Sequence, residues 1–308
     1  MDRVIQIRIQ ESQAGARIDR LIASEVADLS RAAVQRLIKD ERLTVNARTT
    51  RASYRVGSGD LVTLHVPSPQ AIEIYPESLP LQVLHEDASL IVVDKPAGMV
   101  THPAHGHTTG TLVNALLAYC PALTTMPDRE RAGLVHRLDK DTSGVIVVAK
   151  TEAARQALQA QFKARAVHKT YLALIEGHPE PAAGRIDAPI GRDAQHRKRM
   201  AVIHEGRQAI TDYRVLEHFD EHSLVQAAPH TGRTHQIRVH MAFIGHPIVG
   251  DRVYGYRRQR LPLNRHFLHA THITLTHPAT GQMVEFHSEL PGDLSALLDR
   301  LRAQTSRL

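Results

Sequence analysis

Within this 308-residue chain, Asp139 is the side chain best placed for chemistry. It lies in Gly133-Leu134-Val135-His136-Arg137-Leu138-Asp139-Lys140-Asp141-Thr142-Ser143-Gly144, a polar turn leading into the apolar run Val145–Ala149. Neighbouring cations and hydroxyls favour the ionised form of a carboxylate held there. Such a group can serve as nucleophile, base or metal ligand, or simply as a turn residue that accepts backbone N–H groups. A second cluster, His102, His105 and His107, reads either as a metal loop or as a polar loop facing RNA. No HExxH, cysteine partner or suitably spaced carboxylate accompanies it, so no metal site is expected. His235 and His240 are five apart and do not share a helix face as a zinc pair four apart would. The single cysteine, Cys120, excludes an intrachain disulfide and any multi-thiolate site, and fits a reducing compartment. There is no GxxxxGK[ST] phosphate loop and no dinucleotide fingerprint.

The surrounding composition points to an anionic partner. Lys and Arg number 38 against 32 Asp and Glu, giving a net charge of +6. Aromatic residues make up only 4%, too few for a surface built on base stacking. The charge is uneven: residues 1–66 carry 11 basic and 8 acidic side chains, 67–132 carry 3 and 7, and 133–308 carry 24 and 17. No signal sequence or membrane span is evident, so a soluble, cytoplasmic protein is expected.

The elements that must hold these residues follow from periodicity. Two short helices are predicted around Ile18–Val26 and after Ser30, with Ser30 as N-cap and Leu29 and Val34 as a hydrophobic staple. Arg31, Arg36 and Lys39 then occupy the polar side of the second helix. Leu43–Val45 and Leu61–Val66 alternate as strands, and Pro67 and Pro69 mark a boundary. Leu81–His85, Leu90–Asp94 and Val145–Ala149 read as strands, residues 111–119 as a short helix, and Tyr171-Leu172-Ala173-Leu174-Ile175 as an alternating strand. Strand patterns between few helices suit an α/β (α+β) fold with a mixed, mostly antiparallel sheet.

The string His136 to Gly144 resembles the signature of the RluA-type pseudouridine synthases almost letter for letter. Lys169–Gly177, Thr231–His240 and Gly245–Asp251 agree with that family in order and spacing, so the resemblance covers about residues 80–290, closest to its large-subunit ribosomal D type. Residues 15–66 resemble the S4 RNA-binding module through Arg17–Leu21, Leu29-Ser30-Arg31, Gln35, Leu37-Ile38, Val45-Asn46 and Gly59-Asp60. That block departs from the module's pattern at Glu41 and Ala47, where glycine is usual. The organisation so implied is an S4-like domain at 15–66, a linker at 67–79 and a pseudouridine synthase domain at 80–300.

The resemblance implies isomerisation of uridine in large-subunit ribosomal RNA. The N1–C1′ bond breaks, the base turns and C5 joins C1′, with no cofactor needed. The target base must be flipped out of its helix at a cost of a few kcal/mol. Asp139 is the implied catalytic residue, whether it attacks sugar or base. Arg233 is expected to be its ion-pair partner, with contact to phosphate alone as the alternative for it and for Arg238. Tyr171 is expected to stack on the base with a hydroxyl near the proton to be lost, with plain core packing as the alternative. Ile237 is expected to floor the uracil pocket or pack in the helix core, and Arg137 to fill the space left by the flipped base. Arg238 and His136 are assigned to substrate binding, and Arg31, Arg36 and Lys39 to RNA binding by the S4-like block. Arg197-Lys198-Arg199 and Arg257-Arg258-Gln259-Arg260 either track phosphates or are solvated loops. A monomer is expected. Two rivals stand beside this reading: a non-catalytic RNA-binding protein, and a metal-dependent RNA hydrolase using His102, His105 and His107.

Overall fold

The computed structural model describes residues 3–67, 74–103, 108–128, 131–193, 196, 199–256 and 258–305. The histidines at 105 and 107, the cations at 197, 198 and 257, and residues 68–73 of the expected linker lie outside them. Contacts divide the chain into two compact units, Met1–Ala71 and Ile72–Leu308.

The first unit contains β1 (Arg3–Arg8), α1 (Ile18–Glu25), α2 (Arg31–Lys39), β2 (Leu43–Val45), β3 (Arg48–Thr49) and β4 (Leu61–Val66). Its sheet has the order β1-β4-β2-β3, with every pairing antiparallel. Ser30 caps α2 by accepting from the Ala33 N–H at 3.2 Å. Leu29 and Val34 are buried together in a core that also takes Ile18, Ile22, Leu43 and Leu64. Glu41 and Ala47 adopt φ of +56° and +63°. The turns therefore keep the left-handed geometry that glycine would have eased.

The second unit contains β5 (Gln82–Glu86), β6 (Leu90–Lys95), α3 (Leu112–Tyr119), β7 (Ser143–Ala149), α4 (Glu152–Ala164), β8 (His168–Glu176), β9 (Ala183–Asp187), β10 (Ile190–Arg192), β11 (Met200–Val202), β12 (Ile210–His218), β13 (His222–Pro229), α5 (Gln236–Phe243), β14 (Leu268–Thr276), β15 (Met283–His287) and α6 (Gly292–Thr305). The large sheet runs β5-β6-β7-β14-β8-β13-β12-β9, with β15 paired to β14. Only the short β7–β14 contact is parallel, so the sheet is mixed and mostly antiparallel as the sequence pattern implies.

Alternation in the central strands explains why they are so apolar. On β7, Ile146 and Val148 join the core containing α3, whereas Val145 and Val147 join a second core with Ala154 and Leu158 of α4. A strand covered on both faces reads as a continuous hydrophobic run. Gly144 is required at the start of β7: its φ is +118°, and a Cβ there would lie 2.2 Å from the Ala270 carbonyl. That close approach brings the end of the 139–142 turn against β14.

The expected linker is shorter than residues 67–79. Ile74 is buried in the second unit's core, the Tyr75 carbonyl accepts from Asn114 Nδ2, and the Glu77 N–H donates to the Asn114 carbonyl. An apolar side chain enters the core and two backbone groups find partners on α3, so this stretch is part of the unit.

Candidate active site

A cavity of about 680 Å³ opens where the turn before β7, strand β8, the 229–234 loop and the start of α5 converge. Among the described residues, seven Lys and Arg side chains and one carboxylate, Asp139, line it. That size lies within the range of small-molecule sites.

The turn is held through its backbone. The carbonyl of Leu138 accepts from Thr101 Oγ1 at 2.7 Å, and that of Asp141 accepts from Arg265 at 3.2 Å. Lys140's carbonyl accepts from the Gly98 N–H at 2.9 Å and from Lys95 Nζ at 3.1 Å. Lys95 is fully buried and also donates to the carbonyls of Pro96 and Met99. Burial lowers its ammonium to about 7, against the opposing pull of Asp141 and Asp139. With its carbonyls occupied, the turn presents the Asp139 carboxylate to the cavity.

The partner of that carboxylate is Arg238, and this corrects the expectation for Arg233. Arg238 Nη1 donates to Asp139 Oδ2 at 3.1 Å, while its Nε and Nη2 grip Asp251 at 2.6 and 3.0 Å. Arg233 instead donates from Nε to the Gln208 carbonyl at 3.0 Å. The reason lies in the start of α5. Gln236 Oε1 accepts from the Arg233 N–H and from Thr231 Oγ1, folding residues 231–236 back on themselves. Arg238, in the first turn of the helix, then projects to Asp139.

Asp251 is fully buried, and burial pushes its carboxyl up. The Arg238 guanidinium and the N–H groups of Tyr254 and Val253 outweigh that and hold it below the usual range. Arg238 itself is raised: burial opposes its charge, but Asp251 and Asp139 more than compensate. One cation between two carboxylates leaves a net negative charge on the triad. Asp139 is therefore oriented without being fully neutralised, as a reactive carboxylate requires.

His235 completes the group. Its Nε2 lies 3.9 Å from Asp139 Oδ2, and its Nδ1 is 2.8 Å from the Tyr254 hydroxyl. Burial lowers this imidazole, Asp139 opposing. The Tyr254 ring also lies 5.1 Å from the Arg238 guanidinium, within cation–π range. Asp251, Tyr254 and Lys95 carry no signal at the sequence level that assigns them to Asp139. Their residue types are ordinary, and only the fold brings them near.

The remaining expected residues divide into two groups. Tyr171, on β8 opposite Ala227 and Ala270, lines the cavity and is buried. Burial and Asp139 both push its phenol upward, so it is a neutral ring and a poor base. Ile237 is buried, lines the cavity and belongs to the core, so pocket and packing roles coincide. Arg137 is exposed at the mouth. His136 also lines the cavity, but its Nε2 accepts from the Val147 N–H at 2.9 Å and its ring stacks on Phe162. Burial, then Lys169, lowers it to about 3, which makes it a neutral structural imidazole. His102 lines the cavity as well, lowered by burial and by Arg137 and Arg131.

Three of the guanidinium groups lining the cavity, those of Arg165, Arg207 and Arg233, lie close enough to act on one another. Arg233 is lowered by burial and by the charges of Arg207 and Arg165. Gln208 links two of them, its side chain accepting from Arg165 and its carbonyl from Arg233. Such a grouping of like charges is favourable with an anion between them. By contrast, Arg260 is engaged with Glu221 at 2.6 Å, and Arg199 donates to the Val253 carbonyl.

In the first unit, Arg36 and Lys39 are exposed on α2. Arg31 donates from Nε to Asp19 at 2.9 Å, and its side chain is 47% exposed. Asp19 is fully buried and also accepts from Arg17 and Gln35; the Arg17 bond leads in holding it well below the usual range against burial.

Comparison with known proteins agrees with this geometry. A family profile described as RNA pseudouridylate synthase matches residues 89–243. An uncharacterized RNA pseudouridine synthase, YlyB, of Bacillus subtilis is 44% identical over 97% of this chain and 98% of its own length. A ribosomal large subunit pseudouridine synthase D of Pseudomonas aeruginosa is 44% identical over 94% of this chain and 92% of its own. Among solved structures, human RNA pseudouridylate synthase domain containing 4 is 30% identical with a TM-score of 0.58, covering 72% of this chain and 93% of that one.

Proposed function

As the chain belongs to the RNA pseudouridylate synthase family and is a pseudouridine synthase, we propose that it isomerises uridines of large-subunit ribosomal RNA with Asp139 as the catalytic carboxylate. The observation that carries the assignment of Asp139 is its position as the single carboxylate, among the described residues, beside seven cations lining the cavity. The relatives named for the ribosomal large subunit support the choice of RNA.

In this reading the target nucleotide is flipped into the cavity, with phosphates held by Arg165, Arg207 and Arg233. Tyr171 and Ile237 supply the apolar faces that sandwich the uracil. Asp139, oriented by Arg238, assists cleavage of N1–C1′, either by attack or by stabilising the departure of the base. The base turns, C5 bonds to C1′, the C5 proton leaves to solvent and N1 gains one. Atoms and electrons balance within the nucleotide and water. The first unit, with Arg31, Arg36 and Lys39 on α2, is an S4-like module that holds RNA backbone, and the protein works as a cytoplasmic monomer.

Release of tritium from rRNA transcript carrying 5-tritiated uridine tests the reading. Wild type is expected to release label in the presence of EDTA, and Asp139→Asn is expected to release none. Full activity of Asp139→Asn would remove its catalytic role. No release by wild type from large-subunit RNA would overturn the substrate assignment, and RNA cleavage abolished by EDTA would favour a hydrolase.

A further inference from the structure

Strands β14 and β15 pair antiparallel with His272 opposite His287 and Thr274 opposite Glu285. Residues in register, and residues two apart, share a face of a sheet. His272, Thr274, Glu285 and His287 therefore project together. Their geometry is closer than shared sidedness requires. The two imidazoles stack with centroids 4.3 Å apart and planes 11° from parallel. Glu285 Oε2 lies 3.5 Å from His272 Nε2 and 3.8 Å from His287 Nε2. The ligand atoms of all three lie within 4.8 Å of one another, and this is the one such group among the described residues.

Those spacings match what a metal ion asks for. Donors about 2.0–2.1 Å from a tetrahedral ion stand roughly 3.3 Å apart along each edge. The carboxylate-to-imidazole distances are already close to that; the stacked rings direct their Nε2 lone pairs side by side, so the exposed His287 must turn out of the stack for both imidazoles to converge on one ion. Two imidazoles and one carboxylate select zinc, nickel or copper over magnesium or calcium, which prefer all-oxygen ligands. His272 Nε2 is also 3.2 Å from Thr274 Oγ1, a contact the ion would replace.

We propose that His272, Glu285 and His287 form a binding site for one divalent transition-metal ion of the zinc class. The site is separate from the cavity. Lys169 and Tyr171 both line the cavity and are two apart on β8, so Thr170 between them points to the other face. His272 pairs with Thr170 and takes that other face. The ion would cross-link β15 to its neighbour and would play no part in the isomerisation. No sequence spacing announces the site, because 15 positions separate its histidines and strand register alone unites them.

Equilibrium dialysis of the EDTA-stripped full-length protein against Zn²⁺ and Ni²⁺, followed by metal analysis, tests the proposal. Wild type is expected to retain one equivalent more than the His272→Ala/His287→Ala double variant. Glu285→Gln, a surface change that spares the fold, should weaken that equivalent about tenfold or more. Zn²⁺ should raise the melting temperature of wild type and not of the double variant. Equal stoichiometry and affinity in wild type, the double variant and Glu285→Gln would overturn the proposal, placing any bound metal elsewhere among the 21 histidines.

Discussion

Arg233 and Arg238 show how much one turn of chain direction matters to a site. Both belong to Thr231–His240, but Arg233 meets the Gln208 carbonyl whereas Arg238 lies between two carboxylates. Only Arg238 is a buried helical residue held by Asp251 from behind, and it meets Asp139 at 3.1 Å. The two should separate kinetically. Arg238→Lys keeps the charge but loses the planar fork that spans two carboxylates, and a misplacement near 1 Å can cost about 100-fold in rate. Arg238→Lys and Asp251→Asn are therefore expected to lower kcat about 100-fold with KM for RNA nearly unchanged. Arg233→Ala is expected to raise KM and leave kcat within a few-fold, as loss of a uniform binding contact does. Single-turnover and steady-state tritium release would distinguish them, and the reverse pattern would return Arg233 to the role of partner. At this scale, the identity of Asp139 and the polar turn that holds it were legible from its neighbours in sequence. Its partner was not, since 99 residues separate it from Arg238.

At the scale of elements, two turns of the first unit place non-glycine residues in the left-handed region. Glu41 and Ala47 sit at positive φ without glycine's freedom. A left-handed conformation costs a residue with a Cβ roughly 1–2 kcal/mol, and glycine gives back roughly 0.5–1 kcal/mol through its unfolded-state entropy. Ala47→Gly and Glu41→Gly are each expected to stabilise the protein by about 0.5–1 kcal/mol in urea unfolding. A loss of stability in both would mean that their side chains contribute contacts worth more than the strain. The strands and the α2 cap were readable because alternation and an N-cap serine are local signals. The bulge in β14 that turns His272 to the other face, and the close approach at Gly144, were not, because both depend on which strand lies alongside.

At the scale of the whole molecule, the net charge of +6 is organised within each unit. The second unit gathers cations around one cavity, and the first exposes Arg36 and Lys39 on α2. If that helix contacts RNA backbone, Arg36→Ala and Lys39→Ala should each reduce the slope of log K against log salt by up to about one, while leaving kcat on saturating RNA unaltered. Arg31→Ala is expected to weaken folding of the unit as well as binding, because its guanidinium helps neutralise the buried Asp19. Filter binding over a salt series measures the first effect and thermal unfolding the second. An unchanged slope in both Arg36→Ala and Lys39→Ala would remove α2 from the RNA surface.

The sequence by itself determined the kind of protein: a mostly antiparallel α/β chain whose His136–Gly144 string marks its family and singles out one aspartate. Those properties reside in runs of adjacent residues, where periodicity, turn chemistry and motif spacing are written along the chain. Tertiary structure alone decided that Arg238 rather than Arg233 faces Asp139, that Lys95 underpins its turn, and that His272 and His287 stand ring to ring. Each of these joins residues from separate elements, and strand register and helix direction bring them together through packing that no local stretch of sequence encodes.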